Sequence, residues 1–125
     1  MQRSLFDQPL FDQVQIALLR DALGEEELRA MLSEFPGTAA LAFRNMGTAL
    51  ASNDLEEVRR VAHAFKGVAS SFGASLLAAM ARELETEAIS SASMKKRMPA
   101  LTRAIDETVA ALPDIGRDPS AGAEV

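Results

Sequence analysis

His63 is the only histidine in a chain of 125 residues, and it is the side chain with the most evident chemistry. An imidazole titrates near neutral pH, so a useful fraction is neutral and nucleophilic there. It lies in the run Ala62-His63-Ala64-Phe65-Lys66-Gly67-Val68-Ala69-Ser70-Ser71-Phe72-Gly73-Ala74. Taking about 100° per residue for a helix, with His63 at zero, Val58, Val61, Phe65, Val68, Ala69 and Phe72 fall between roughly 140° and 240°. That arc is the expected core side. Arg59, Arg60, Lys66, Gly67 and Ser70 all fall within roughly 60° of the histidine. The pattern predicts an imidazole on a solvent-facing basic strip, with Lys66 as its neighbour at i+3. Gly67, at i+4, leaves the next neighbouring position empty. A helix-interior glycine costs up to about 1 kcal/mol against alanine, so it wants a reason, and access for a docking partner is one.

Competing chemistries fit less well. A di-iron bundle needs Glu-x-x-His pairs on two helices. Only one histidine exists and Arg60 stands three residues before it, so no metal site is expected. A hydrolase with His63 as general base would need a pocket and a nucleophile, and a convex helix face offers neither. The absence of cysteine removes disulfides, thiolate metal sites and cysteine nucleophiles.

The elements that position His63 follow from the spacing of apolar residues. Asp12 to Leu23 reads as a short helix with Val14, Leu18 and Ala22 on one face, stopped by Gly24. Glu25, Glu26 and Glu27 favour the positive end of a second helix. Its stripe runs through Leu28, Met31, Leu32, Phe35, Ala39, Ala42, Phe43, Met46 and Leu50; Pro36-Gly37 in isolation reads as a break, but the stripe stays in phase across it, which favours a kinked helix. Ser52-Asn53-Asp54 is a polar turn, with Asn53 or Asp54 as cap for the helix that carries His63. That helix ends near Ser71 or Phe72, and Gly73 marks the next turn. Leu77, Met80, Ala81, Leu84 and Ala88 form another amphipathic stripe. Ser90-Ser91-Ala92-Ser93 reads as a loop. A last helix reaches Leu112 with Leu101, Ile105, Thr108 or Val109, and Leu112 inward. Pro99 either kinks it or marks its start, and Pro113 ends it.

Four long amphipathic segments with short connections predict an all-α fold, an antiparallel up-down four-helix bundle, with the short first helix packed across one end. Residues 1–9 are expected to form a flexible arm, 10–112 the bundle and 113–125 a disordered tail. Hydrophobic residues at 48% suffice for one core. A net charge of −5 argues against nucleic acid as a partner. No apolar run approaches the roughly 20 residues needed to span a bilayer. With no signal-peptide pattern at the N-terminus, the expected location is cytoplasmic, with no membrane partner.

The run around His63 resembles the signature of the histidine-containing phosphotransfer (HPt) domain of bacterial phosphorelays, which reads roughly His-x-x-Lys-Gly, then small residues and a further glycine. His63, Lys66, Gly67 and Gly73 match it, and the resemblance extends from about Asp12 to Leu112. It implies that His63 accepts a phosphoryl group from a phospho-aspartyl receiver domain and passes it to another. The implied partners are receiver domains of hybrid histidine kinases and response regulators, which supply the Mg²⁺. It implies no cofactor held by the chain and no kinase activity of its own. By the same resemblance an acid on the following helix, at Glu85, orients the imidazole, and Lys66 stabilises the phosphate. Arg59 and Arg60, with Gly67 and Ser70, would extend the docking strip towards an acidic receiver pocket. A monomer is expected, since an intact bundle closes its own core. Val68 stands where the family usually has Ser, Ala or Gly; the wheel places it towards the core. The alternative reading is a non-catalytic helical adaptor that binds receivers through the same face.

Overall fold

The computed structural model describes residues 9–116. The expected arm up to residue 8, and the expected tail from 117 onward, lie outside the described residues. Five helices follow in order: α1 Gln13–Leu23, α2 Glu25–Ala51, α3 Leu55–Ser71, α4 Ser75–Thr86 and α5 Ser91–Ile115. The main packing runs α2 on α3, α3 on α4, α4 on α5 and α5 back on α2, which closes a ring of four. Short connections make successive helices antiparallel. The helix α1 packs against α2 and reaches across the end of the bundle where α3 gives way to α4.

The core is a column of side chains from the apolar stripes. Phe35 of α2 is fully buried, with its ring 6.2 Å from Phe65 and 4.9 Å from Phe72 of the α3 side. Phe65 is two residues beyond His63, so this packing fixes the rotation of α3 and sends the histidine outward. Leu77, Met80, Ala81 and Leu84 of α4, and Met94, Leu101, Ala104 and Leu112 of α5, complete the column.

Caps define the ends. Asp12 accepts the N–H groups of Val14 and Gln15, and Asp54 accepts that of Glu57. Gly24, at φ 86°, joins α1 directly to α2. Gly73, at φ 73°, makes the turn between α3 and α4, and a Cβ there would lie 3.2 Å from Ile16 Cδ1. Its carbonyl accepts the N–H of Asp12, which ties α1 to this turn. Glycine is required by both the backbone angle and the approach of Ile16.

Several expectations need correction. The Val14–Leu18 face of α1 is exposed, and Ile16 is the residue that α1 buries. The contacts of Asp12 and Gln15 with the end of α3 set that rotation, which a short i, i+4 pattern does not reveal. Ser90 to Ser93 is not a loop: Ser90 and Ser93 form a capping box and α5 starts at Ser91. Pro99 therefore lies well inside α5 and is not its start. Pro36, by contrast, lies within a continuous α2, as the in-phase stripe predicts. At the other end α5 runs through Pro113 to Ile115, because the Arg20 guanidinium donates to the Ile115 carbonyl and that of Arg29 to the Gly116 carbonyl. These donors satisfy C-terminal carbonyls that a helix otherwise leaves unpaired. Val68 is half-exposed, at the edge of the core and not within it.

The Phe35 cluster carries a direct consequence. Phe35→Ala removes the ring on which Phe65 and Phe72 pack and should cost about 3–5 kcal/mol in urea unfolding. A loss below about 1 kcal/mol would show that this cluster does not hold α2 against α3.

Candidate functional site

His63 stands in the middle of α3 with its side chain 67% exposed. Its Nδ1 lies 2.8 Å from Glu85 Oε1 on α4. Glu85 Oε2 in turn lies 3.2 Å from Lys66 Nζ, one helical turn from the histidine. One carboxylate thus serves both residues. The Oε2 contact is an ion pair without the alignment of a hydrogen bond, whereas the Nδ1 contact is directed. Glu85 is placed by the burial of its neighbour Leu84, which anchors that turn of α4 in the core.

The electrostatics fix the tautomer. The hydrogen bond from His63, aided by Lys66, lowers the Glu85 pKa below its ordinary 4.5 against the opposing effect of burial. An ionised carboxylate only accepts, so Nδ1 carries the proton. In the neutral ring Nε2 then keeps its lone pair and is the free nitrogen. The arrangement presents a nucleophilic nitrogen to whatever meets the surface of α3.

The remaining site candidates fall into two groups. Gly67 is exposed, and a Cβ built there meets nothing within 4 Å, so the space beside His63 is open. Ser70 is exposed two turns beyond the histidine on the same face. The basic strip, by contrast, is not a free positive surface. The Arg60 guanidinium is bound by both carboxylate oxygens of Glu57, one at 2.7 Å, which lowers the Glu57 pKa and raises that of Arg60. Arg59 donates to the Ile89 carbonyl at 3.5 Å. Lys66 is spent on Glu85. Glu57 was legible as a partner for Arg60, since the two are three apart on one helix. The open side of His63 towards α4 is lined by Asp54, Glu56, Glu57, Arg59, Arg60, Glu85 and Thr86, a surface of mixed charge. No group of three His, Cys, Asp or Glu residues capable of holding a metal ion occurs among the described residues.

The family model of the Hpt domain matches residues 30–114 of the chain. The chain belongs to the Hpt family. Among solved structures, this Hpt chain is similar to histidine-containing phosphotransfer protein B (HptB) from Pseudomonas aeruginosa PAO1. The two are 28% identical with a TM-score of 0.73, over 86% of this chain and 95% of that one. No curated protein matches the chain. The function of this Hpt chain is histidine phosphotransfer in a phosphorelay. No helix among the described residues is long and apolar enough to cross a membrane.

The shared carboxylate has a measurable signature. A group whose native pKa is depressed contributes stability above its unfolded pKa and loses it as pH falls through the native value. Between neutral pH and about pH 3, the thermal midpoint of wild type should therefore fall further than that of Glu85→Gln. Parallel profiles would show that Glu85 gains nothing from His63 and Lys66.

Proposed function

We propose that His63 is the phosphoacceptor of this Hpt chain, that Glu85 holds its ring in the reactive tautomer, and that Lys66 stabilises the phosphorylated form. The observation that carries this reading is the 2.8 Å contact of Nδ1 with Glu85 on a histidine that is otherwise exposed. In the transfer step the Nε2 lone pair attacks the phosphorus of a receiver's aspartyl phosphate. The Nε2–P bond forms, the P–O bond to the aspartyl carboxylate breaks, and that carboxylate leaves with the electron pair. With Nδ1 still protonated the ring becomes cationic, and the Glu85 carboxylate beside it offsets that charge. The reverse steps deliver the phosphoryl group to another receiver.

Lys66 suits a second role because its ammonium, ion-paired with Glu85 Oε2, stands one helical turn from His63. When phosphate arrives on Nε2, the ammonium can turn to the phosphoryl oxygens while Glu85 keeps its bond to Nδ1. Gly67 leaves clear the volume that an approaching receiver must enter. Arg59, Arg60 and Ser70 border the same contact. In this reading the chain is a phosphoryl carrier and not a kinase, and it works in the cytoplasm between receiver domains of hybrid histidine kinases and response regulators. It acts as a monomer, a state supported by the closed ring of α2 to α5.

Two variants test the reading. His63→Gln should fold as wild type does, because the position is exposed, and should take up no phosphate from any phosphorylated receiver. The wild-type label should be acid-labile and base-stable, as a phosphoramidate is. Undiminished labelling of His63→Gln would overturn the assignment. Gly67→Leu should match wild-type stability or exceed it by up to about 1 kcal/mol, yet transfer poorly. Normal transfer by that variant would remove the access role of Gly67.

A further inference from the structure

The surroundings of His63 are not symmetric along α3. A helical side chain leans towards the N-terminus of its helix, so the imidazole overlies the turn that carries Arg59 and Arg60 and not the turn of Lys66 and Gly67. The surface agrees. His63 walls an open depression of about 770 Å³ together with Arg59, Arg60, Glu85 and the acids at the start of α3, Asp54, Glu56 and Glu57. Lys66 and Gly67 do not line it.

A phosphoryl group carries about −1.5 to −2 charge at pH 7. On one side of His63, Lys66 is already shared with Glu85. On the other side, the Arg60 guanidinium is held by both carboxylate oxygens of Glu57. Arg59 differs from both. It stands four residues before His63, a helical neighbour on the same face. Among the described residues it has no carboxylate in contact, and its Nη2 donates to the neutral Ile89 carbonyl at 3.5 Å. That distance is near the long limit for a hydrogen bond. Bonds to an ionised phosphoryl group are shorter and roughly twice as strong, and a guanidinium fork matches two phosphoryl oxygens at once. The Ile89 carbonyl can turn to water in exchange, because Ile89 is 77% exposed.

We propose that Arg59 is a second phosphoryl-binding residue. On phosphorylation of His63 its guanidinium leaves the Ile89 carbonyl and donates to the phosphoryl oxygens from the side opposite Lys66. The proposal rests on His63 being the phosphoacceptor. It also ties the phosphorylation state to the connection between α4 and α5, because Arg59 joins α3 to Ile89 before the phosphate arrives. Asp54, Glu56 and Glu57 border the same space and oppose a further anion there, so a cation free to turn is what the site requires.

The test compares wild type with Arg59→Met, which keeps the apolar stem, with Arg59→Lys and with Arg60→Met. Each is phosphorylated with phosphoramidate, a small donor that needs no docking, and the phosphohistidine signal is titrated by phosphorus NMR. A guanidinium in contact favours the fully ionised phosphoryl group and holds its last pKa down. That pKa should rise by about 0.5 or more in Arg59→Met, and by less in Arg59→Lys and in Arg60→Met, where a charge is kept or only a more distant one is lost. In wild type, phosphorylation should move both the Arg59 side-chain N–H signal and the amide signal of Ser90, which follows the Ile89 carbonyl. In Arg59→Met the Ser90 signal should move far less. An unchanged pKa in Arg59→Met, or a rise as large in Arg60→Met, would overturn the proposal. So would a wild-type Arg59 signal that phosphorylation leaves in place, an observation that needs no variant to fold. Failure of wild type to be labelled at His63 would instead overturn the phosphoacceptor reading beneath it.

Discussion

The site depends on one carboxylate. Glu85 holds the ring N–H of His63 with one oxygen and the ammonium of Lys66 with the other. The arrangement demands that α3 and α4 keep a fixed register, since a carboxylate reaches only about 3 Å to each partner. That register begins at Gly73, where a positive φ lets the chain reverse after α3 and where Ile16 packs too closely for a Cβ. It is carried along the helices by Leu77, Met80, Ala81 and Leu84 on one side and by Val58, Phe65 and Ala69 on the other. The helix α1, outside the ring of four, acts on this register through its bonds to the Gly73 and Ser71 carbonyls. A helix far from the imidazole thus bears on how His63 and Glu85 meet.

On the proposed reading of His63 as the phosphoacceptor, the same carboxylate makes an exposed histidine specific in its reactivity. In water the imidazole would exchange between tautomers and rotamers. An ionised acceptor at Nδ1 removes half of the tautomers and most of the rotamers, and it leaves Nε2 as the free base. Neither effect requires a pocket. Reactivity is thereby separated from enclosure, and enclosure is left to the partner that brings the phosphoryl group.

Much of this was legible in the sequence, though not all for the same reason. The rotation of α3 followed from its own apolar period, because Val58, Val61, Phe65 and Ala69 are all in the core and leave His63 only the outer side. The bundle followed from four such stripes. Glu85 had no signal of its own in the spacing; it entered through family resemblance, and its pairing with His63 depends on two helices meeting in register. The errors arose where long-range contacts outweigh local pattern. Pro113 reads as a stop, yet Arg20 and Arg29, far away in sequence, satisfy the carbonyls that let α5 continue. The face of α1 was set by the end of α3 and not by its own apolar residues. Within the basic strip, the pairing of Arg60 with Glu57 was legible from their spacing, whereas that of Lys66 with Glu85 needs the next helix.

That last point bears on recognition. Arg60 and Lys66 each face a carboxylate, whereas Arg59 meets only the neutral Ile89 carbonyl, so the flank towards α4 keeps one cation without an acid in contact. A groove beside Ala64 is lined by Leu41, Ala42, Val61, Phe65 and Val68 together with Thr38, Asn45 and Arg60, so the two flanks of His63 share Arg60 and its ion pair with Glu57.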